Sequence, residues 1–460
     1  MNVNEQTFKI DDAPLNRFHL KITALTFGAN FSDGYALGII GMAIALLSPA
    51  MKLSSVWEGL IGSSALIGIF LGCLVLGRLS DRIGRQKIFQ LNFLVITIAS
   101  LLQFFVNDPV TLFILRLLIG FALGGDFVVG TTLLAEFAPR KYRGFLLASL
   151  NVIWTVGYVA SNLVGYYMAK TGPESWRWML VSAAIPAFIV LVLRIGTPES
   201  PGWLVSVGRI EEARRIVKKY LGQDVDINID NAISHQSKEI TGFKHLFSRN
   251  LWKRTAFGGL FYACQVLPYY AIYTFLPVIL EYMGFTETFL VDMLLNLFLL
   301  VGTIAGLWCI QKFSRRGFTI YTFAIMSVTL FILSITNTNS HFLIMTAFII
   351  FTFIMAAAGN LTMVYPAELF PTEVRASGIG VVSAISRIGS AIGTFLLPIT
   401  LHSYGLGTTM LGMTAVLLLG TVISIAWAPE TKSLSLNGES DPNLDVASSI
   451  NAEGKSAEVG

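Results

Sequence analysis

The chain has 460 residues, 54% of them hydrophobic and only 13% charged, with a formal net charge of +4. Soluble proteins carry about 25% charged residues, so a single soluble domain is disfavoured and lipid is expected to be the solvent for much of the surface. Cys73, Cys264 and Cys309 lie far apart in apolar runs without metal or redox spacing, so neither a disulfide framework nor a metal site nor a cofactor is expected.

Residues 1–21 are polar and mixed in charge, and lack the basic start and apolar core of a cleavable signal peptide. Apolar runs then follow at 22–48, 56–77, 87–106, 111–135, 146–169 and 176–195. Each is long enough to cross about 30 Å of hydrocarbon as a helix. The first carries Asp33 near its middle, the fourth carries Arg116 and Asp126 and ends on Glu136, and the fifth contains Trp154. The segment 196–252 is polar. Within it Ile210, Ala213, Ile216, Val217, Tyr220 and Leu221 fall at helical spacing, with Glu211, Glu212, Arg214, Arg215, Lys218 and Lys219 on the other faces. That pattern predicts an amphipathic helix lying under the membrane domain. A second set of apolar runs occupies 253–281, 287–311, 317–336, 341–365, 374–401 and 406–428. Residues 430–460 are rich in Ser, Asn and Gly without an apolar period, which predicts a disordered tail.

The basic residues set the orientation. Arg78, Arg82, Arg85 and Lys87, then Arg140, Lys141 and Arg143, then Lys312, Arg315 and Arg316 fill alternate connections, as do the cations of the central segment. The positive-inside rule therefore places both termini and the central segment in the cytoplasm. The chain is also duplicated. Ala135-Glu136-Phe137-Ala138-Pro139 through Arg143 returns as Ala367-Glu368-Leu369-Phe370-Pro371 through Arg375, and Pro198-Glu199-Ser200 returns as Pro429-Glu430-Thr431. The expected fold is all-α, with twelve transmembrane helices in two pseudo-symmetric six-helix bundles at 22–195 and 253–429. A cavity between parallel halves suits alternating access.

Charges inside hydrocarbon are costly and must be paired, protonated or turned inward. Desolvation raises a carboxylate's affinity for a proton and a nearby cation lowers it, so a carboxylate whose surroundings alternate can load and release a proton. Asp33 and Asp126 are the candidates for that role, and the competing reading makes one of them a permanent partner of Arg116. Asp126 lies ten residues from Arg116 on one helix (~15 Å along the axis), which disfavours a direct pair. No histidine falls within the middle of a span. Arg387 is an intramembrane guanidinium in a span without acidic residues; it reads either as an anchor for an anionic substrate or as a cross-half partner of Asp33 or Asp126. Asp292 lies near the outer end of its span, where water can reach it. In the seventh span Pro268 weakens the helix beside Gln265, Tyr269 and Tyr273. Those two tyrosines share a face at i, i+4 while Tyr270 points elsewhere, and the face reads either as a ligand contact or as an interfacial belt. Asn360, Tyr35 and Trp154 are further cavity candidates. Gly68 with Gly72, Gly120 with Gly124, and Gly389 with Gly393 fit close helix packing.

These motifs carry a resemblance. Gly77-Arg78-Leu79-Ser80-Asp81-Arg82-Ile83-Gly84-Arg85, Arg116 with Gly120, Gly124 and Gly125, and Glu136–Gly144 resemble signatures of the major facilitator superfamily, as do Pro198–Pro201 and Pro366–Arg375. The resemblance extends over about residues 20 to 430. Within the superfamily the chain is most similar to bacterial metabolite/proton symporters of the aromatic-acid and organic-acid type, related to the sugar-porter branch. It departs from those patterns in places: Gly202 stands where sugar porters carry Arg, and Ala36 stands where the Asp-Gly-x-Asp motif of aromatic-acid symporters has its second Asp. The resemblance implies gating by Asp81 with Arg82 or Arg85, by Glu136 with Arg140 or Arg143, and by Glu368 with Arg375. It further implies rocker-switch, proton-coupled uptake of a small anionic metabolite, an aromatic or other carboxylate, by a multi-pass protein of the cell membrane acting as a monomer. Its partners would be the substrate, protons and the bilayer, and not nucleic acid. Phosphate or sugar symport and drug efflux are the alternatives within transport, and a non-transporting membrane sensor is the alternative outside it. No enzyme pattern of the H-E-x-x-H, G-x-S-x-G or P-loop kind is found.

Overall fold

A polar backbone in lipid must satisfy every N–H and C=O internally, and the chain does so with long helices. The computed structural model describes residues 8–9, 16–222, 225–226, 246–248, 251–285, 288–336, 340–370 and 375–431. The predicted tail at 430–460 therefore falls almost wholly outside the described residues, as does much of the segment between 223 and 250.

The first half comprises α1 (Arg17–Met51), α2 (Ser55–Ile83), α3 (Arg85–Leu102), α4 (Pro109–Phe137) and α5 (Arg140–Ala169). Its sixth span is divided at Ala183 into α6 (Ser175–Ser182) and α7 (Ala184–Leu193). The linker holds α8 (Pro201–Ser206) and α9 (Ile210–Tyr220). The second half opens with α10 (Trp252–Thr274) and α11 (Leu276–Tyr282), one span bent by 71°. It continues with α12 (Thr288–Lys312), α13 (Arg315–Ile335), and α14 (His341–Gly359) and α15 (Leu361–Leu369), which are divided at Asn360. The last helix, α16 (Arg375–Trp427), is 53 residues long. At 1.5 Å per residue it would reach about 80 Å, more than twice the hydrocarbon thickness. It changes direction at Gly405, whose φ of 77° is open to glycine, and supplies the eleventh and twelfth spans. Among the described residues ten helical stretches, with α6 and α7 counted as one and α14 running on into α15, and the bent pair as an eleventh, are long and apolar enough to cross. With α16 counted twice the expected twelve spans are present.

The linker is anchored to the first span. Asn16 caps α1 by accepting from the N–H groups of Phe18 and His19, and its amide donates to the Tyr220 carbonyl at 2.8 Å. The predicted amphipathic helix is α9, with Ala213 and Val217 buried and the Phe18 and Tyr220 rings 4.7 Å apart. One element was not foreseen: β1 (Phe8–Lys9) pairs in parallel with β2 (Val225–Asp226), which joins the N-terminal segment to the linker.

The duplication has a local chemical meaning. Glu199 accepts from the Gln86 N–H at 2.9 Å, at the start of α3. Glu430 accepts from the Arg315 and Arg316 N–H groups at 3.0 and 3.3 Å, at the start of α13. In each half the acid of the repeated Pro-Glu motif satisfies open backbone donors at a helix N-terminus, where a negative charge is favoured.

Glycines bring α2 and α4 into backbone contact. A Cβ on Gly68 or Gly72 would overlap the carbonyls of Leu117 or Phe121, and one on Gly120 or Gly124 would overlap those of Ala65 or Ile69. Gly72→Val is therefore expected to cost at least about 3 kcal/mol, since backbone cannot move aside as a side chain can. The check is the yield of monodisperse protein, and a normal yield with normal melting would refute the claim.

Candidate functional site

The two intramembrane carboxylates meet. Asp33 on α1 and Asp126 on α4 are each 1% exposed, and their carboxyl groups are within hydrogen-bond reach of each other. Ionised carboxylates only accept, so a bond between them requires a proton on one. The cation that acts on Asp126 is Arg194, which follows α7, is 2% exposed and lies over the Phe89 ring. It stands at the end of an apolar run, where a basic residue is ordinary. The signal that it is different is only its burial.

Arg116 is not the partner of either carboxylate. It is 1% exposed, and its Nη1 donates to the Ala36 carbonyl at 3.1 Å. That position is where the Asp-Gly-x-Asp motif has its second acid.

A second centre lies between the halves. Arg387 on α16 is 7% exposed. Its Nη1 donates to the Tyr270 hydroxyl at 3.1 Å, and its guanidinium lies 4.9 Å from the Phe127 ring centroid. Among the described residues no carboxylate pairs with it: the groups that act on it are Tyr270, Tyr262 and Cys73. The cross-half ion pair with Asp33 or Asp126 is therefore not formed. Tyr270, read from the i, i+4 rule as facing away, is the residue in direct contact, and it is also within electrostatic reach of Asp33. Tyr269 and Tyr273 share a face as that rule requires, their rings 5.0 Å apart, and Tyr270 points to the other side, where Arg387 stands. Pro268 leaves the Cys264 carbonyl without its usual donor, and the span bends at Phe275.

Aromatic rings extend from Arg387. Trp154 on α5 stacks on Tyr158 at 5.6 Å and meets Tyr269 and Tyr270 at 6.3 and 6.4 Å. Tyr158 stands edge-on to Tyr273 at 6.2 Å. Two polar atoms in this region have no hydrogen-bond partner: Trp154 Nε1, a donor, and Gln265 Oε1, an acceptor. The Gln265 amide nitrogen is already committed to the Met355 carbonyl at 3.3 Å. Tyr273 donates to Thr352 at 2.7 Å. Two other candidates are placed differently. Tyr35 is bonded to Ser182 at 2.8 Å within the first half. Asn360 stands at the break between α14 and α15, donating to the Thr303 carbonyl at 2.8 Å and accepting from Asn151 of the first half at 2.9 Å.

Asp292 on α12 departs from expectation. It is 4% exposed rather than open to water, and its electrostatic neighbours are Asn296, Tyr158 and Tyr273.

The halves are joined at the end away from the termini. Ser48 donates to Glu58, Glu58 lies 3.3 Å from His402 Nε2, and His402 Nδ1 is 3.0 Å from the Tyr282 hydroxyl. These residues come from α1, α2, α16 and α11. At the opposite end Glu368 pairs with Arg315 at 3.1 Å and accepts from Thr431 at 2.6 Å. Arg82 is exposed in the last turn of α2, and Arg85 is half-buried at the start of α3. The side chains of Asp81, Glu136, Arg140, Arg143 and Arg375 lie outside the described residues. A surface cavity of ≈ 460 Å³, lined by Lys87, Trp203, Arg209 and Lys219 among others, is formed by α3 and the linker helices and contains none of the buried charges.

The sequence model of the sugar (and other) transporter family matches residues 21–440. The chain is 47% identical to the inner membrane metabolite transport protein YgcS of Escherichia coli, over 94% of this chain and 96% of that one. It is 26% identical to the niacin transporter NiaP of Acinetobacter baylyi, over 93% and 98% of the two chains. A solved structure of the xylose transporter XylE of Escherichia coli, in a partially occluded inward open conformation, superposes with a TM-score of 0.78 at 19% identity. That match covers 91% of this chain and 100% of the other, and it bears on the fold alone.

Proposed function

The chain belongs to the sugar (and other) transporter family of the major facilitator superfamily, and we propose that within it this protein couples protons to the uptake of a small organic anion, an aromatic or other carboxylate. It is a multi-pass membrane transporter and not an enzyme. In this reading the basic end, with both termini, faces the cytoplasm, as the positive-inside rule requires.

The observation that carries the anion reading is Arg387. A guanidinium inside the membrane domain needs an anion, and no carboxylate among the described residues supplies one. The aromatic surface beside it fits an apolar body, as ligand sites commonly do. Niacin, named for one relative, is an aromatic carboxylate of this class.

Coupling follows from charge. Tyr270 contacts Arg387 of the second half and is within electrostatic reach of Asp33 of the first. In this reading an anion bound at Arg387 adds negative charge beside Tyr270 and so favours a proton on the Asp33 and Asp126 pair. Substrate and proton then bind together, and rocking of the halves carries both.

The test is uptake of labelled carboxylates by right-side-out membrane vesicles under an imposed pH gradient. Accumulation is expected to collapse when a protonophore is added, and accumulation that survives the protonophore would rule out symport. A melting screen adds the substrate class, because a ligand of the native state raises stability. Stabilisation by neutral sugars and by no carboxylate would replace the anion with a sugar.

A further inference from the structure

The duplicated scaffold carries a feature that is not duplicated. Glu199 and Glu430 cap α3 and α13 alike. Among the described residues only the chain after Glu199 continues into helices, α8 and α9, and these close the cavity of ≈ 460 Å³ against the start of α3. At the two matched helix starts, Lys87 of Arg85-Gln86-Lys87 stands where Arg315-Arg316-Gly317 has Gly317. The cavity and the cation that α3 brings to it thus belong to one half alone.

The ionised groups lining the cavity are Lys87, Arg209, Arg215 and Lys219 against Glu199 and Glu212. Both acids are committed. Glu212 pairs with Arg209, and Glu199 accepts from the Gln86 and Ser200 N–H groups at 2.9 and 3.0 Å. Lys87, Arg215 and Lys219 pair with no carboxylate among the described residues. Arg215 and Lys219 stand four apart on α9 and so share a side of that helix. Like charges brought to one recess repel, and an anion among them relieves the repulsion.

The second observation is the surface below Lys87. Leu91, Leu94, Ile98 and Leu101 follow it at helical spacing on one face of α3, and they are 43% to 48% exposed. They lie within the span Arg85–Phe105, so this face meets acyl chains, and Lys87 stands at its polar end, at the level of the headgroups. A free ion would need the cations alone. A cationic recess whose wall includes the head of a lipid-facing apolar stripe is matched to a molecule with phosphate at one end and hydrocarbon at the other.

We propose that this cavity binds an anionic phospholipid of the leaflet that meets the basic end, with the phosphate among Lys87, Arg215 and Lys219 and an acyl chain along Leu91, Leu94 and Ile98. Such a lipid ties the linker to α3 beside the contact that Glu199 already makes. The site is independent of what the transporter carries.

The test titrates the purified full-length protein with dioctanoylphosphatidylglycerol. The comparisons are dioctanoylphosphatidylcholine, which has the same chains and phosphate but no net charge, and inorganic phosphate, which has no chain. Binding is read as the rise of the melting temperature with concentration. The anionic lipid is expected to act at a concentration at least about tenfold lower than phosphatidylcholine, since each cation near the surface contributes about a fivefold preference. In the triple variant Lys87→Gln, Arg215→Gln, Lys219→Gln that ratio should fall towards one. A control that removes two exposed cations of the second half, Lys253→Gln with Lys312→Gln, should keep it. Equal action of the two lipids on the native protein overturns the proposal, as does a ratio that persists in the triple variant. A ratio that falls as far in the control also overturns it, by marking a general attraction of the basic end. Inorganic phosphate acting at the lipid's own concentration, in the native protein and not in the triple variant, leaves the cations with a soluble anion and removes the lipid. Should the triple variant not fold, Arg215→Gln with Lys219→Gln, at two exposed positions of α9, replaces it with the same reading.

Discussion

Replacing Asp33 and Asp126 together by Asn is expected to abolish proton-driven accumulation, leaving substrate at its equilibrium distribution. Asn keeps the shape of Asp and can hydrogen-bond to a second amide without any shared proton. The variant should therefore fold, while losing the groups that load and release charge. Exchange of labelled for unlabelled substrate moves no net proton and should fall far less than accumulation. The single variants are informative for a different reason. Asp126→Asn removes the carboxylate that acts electrostatically on Arg194, a guanidinium that is 2% exposed, whereas no cation acts in this way on Asp33. This variant should therefore be less stable than the Asp33→Asn variant. Measuring accumulation and exchange in the same proteoliposomes separates coupling from folding. If the double variant still accumulates substrate against a gradient, the proton is carried elsewhere.

The sequence showed how far each helix runs and how often the pattern repeats, and much less about how each helix is turned. Length and hydropathy identify a span because lipid imposes one requirement on every backbone group. The close glycine packing of α2 on α4 was legible for a related reason, since only glycine admits carbonyl contact at that spacing. The meeting of Asp33 with Asp126 was not legible, because two helices each hydrophobic all round give no phase from which to deduce the faces that touch. Tyr270 does point away from the shared face of Tyr269 and Tyr273, and what the spacing could not show is that Arg387 stands on that other side. The enclosure of Arg194 and of Asp292, the latter expected to be open to water, was not legible for a shared reason. Both stand near span ends, where charge is ordinary, and only tertiary packing shows that these two are enclosed. The paired acids Glu199 and Glu430 were visible as a repeat, while their work as caps for α3 and α13 needed the fold.

Arg387→Lys is expected to lower the apparent affinity for a carboxylate by roughly ten- to hundredfold, while Arg387→Gln should abolish the substrate's effect on melting. Arginine offers a planar fork that holds both carboxylate oxygens, and its flat face lies over Phe127 at 4.9 Å. Lysine replaces the fork with a point charge on a flexible stem, and it forfeits the fixed contact with Tyr270 at 3.1 Å. The unliganded protein distinguishes this role from a scaffold role by the sign of a stability change. Were Arg387 half of a structural ion pair, its removal would strand a buried carboxylate and lower the melting temperature by several degrees. No such carboxylate pairs with it among the described residues, so removing the charge relieves a desolvation cost. Arg387→Gln without substrate should therefore melt at the native temperature or above it. Unchanged transport by Arg387→Lys, or a marked fall in the melting of the unliganded Gln variant, would return Arg387 to the scaffold. The anion would then have to be held by the remaining open polar atoms, the Trp154 indole N–H above all, which supplies a donor without a charge.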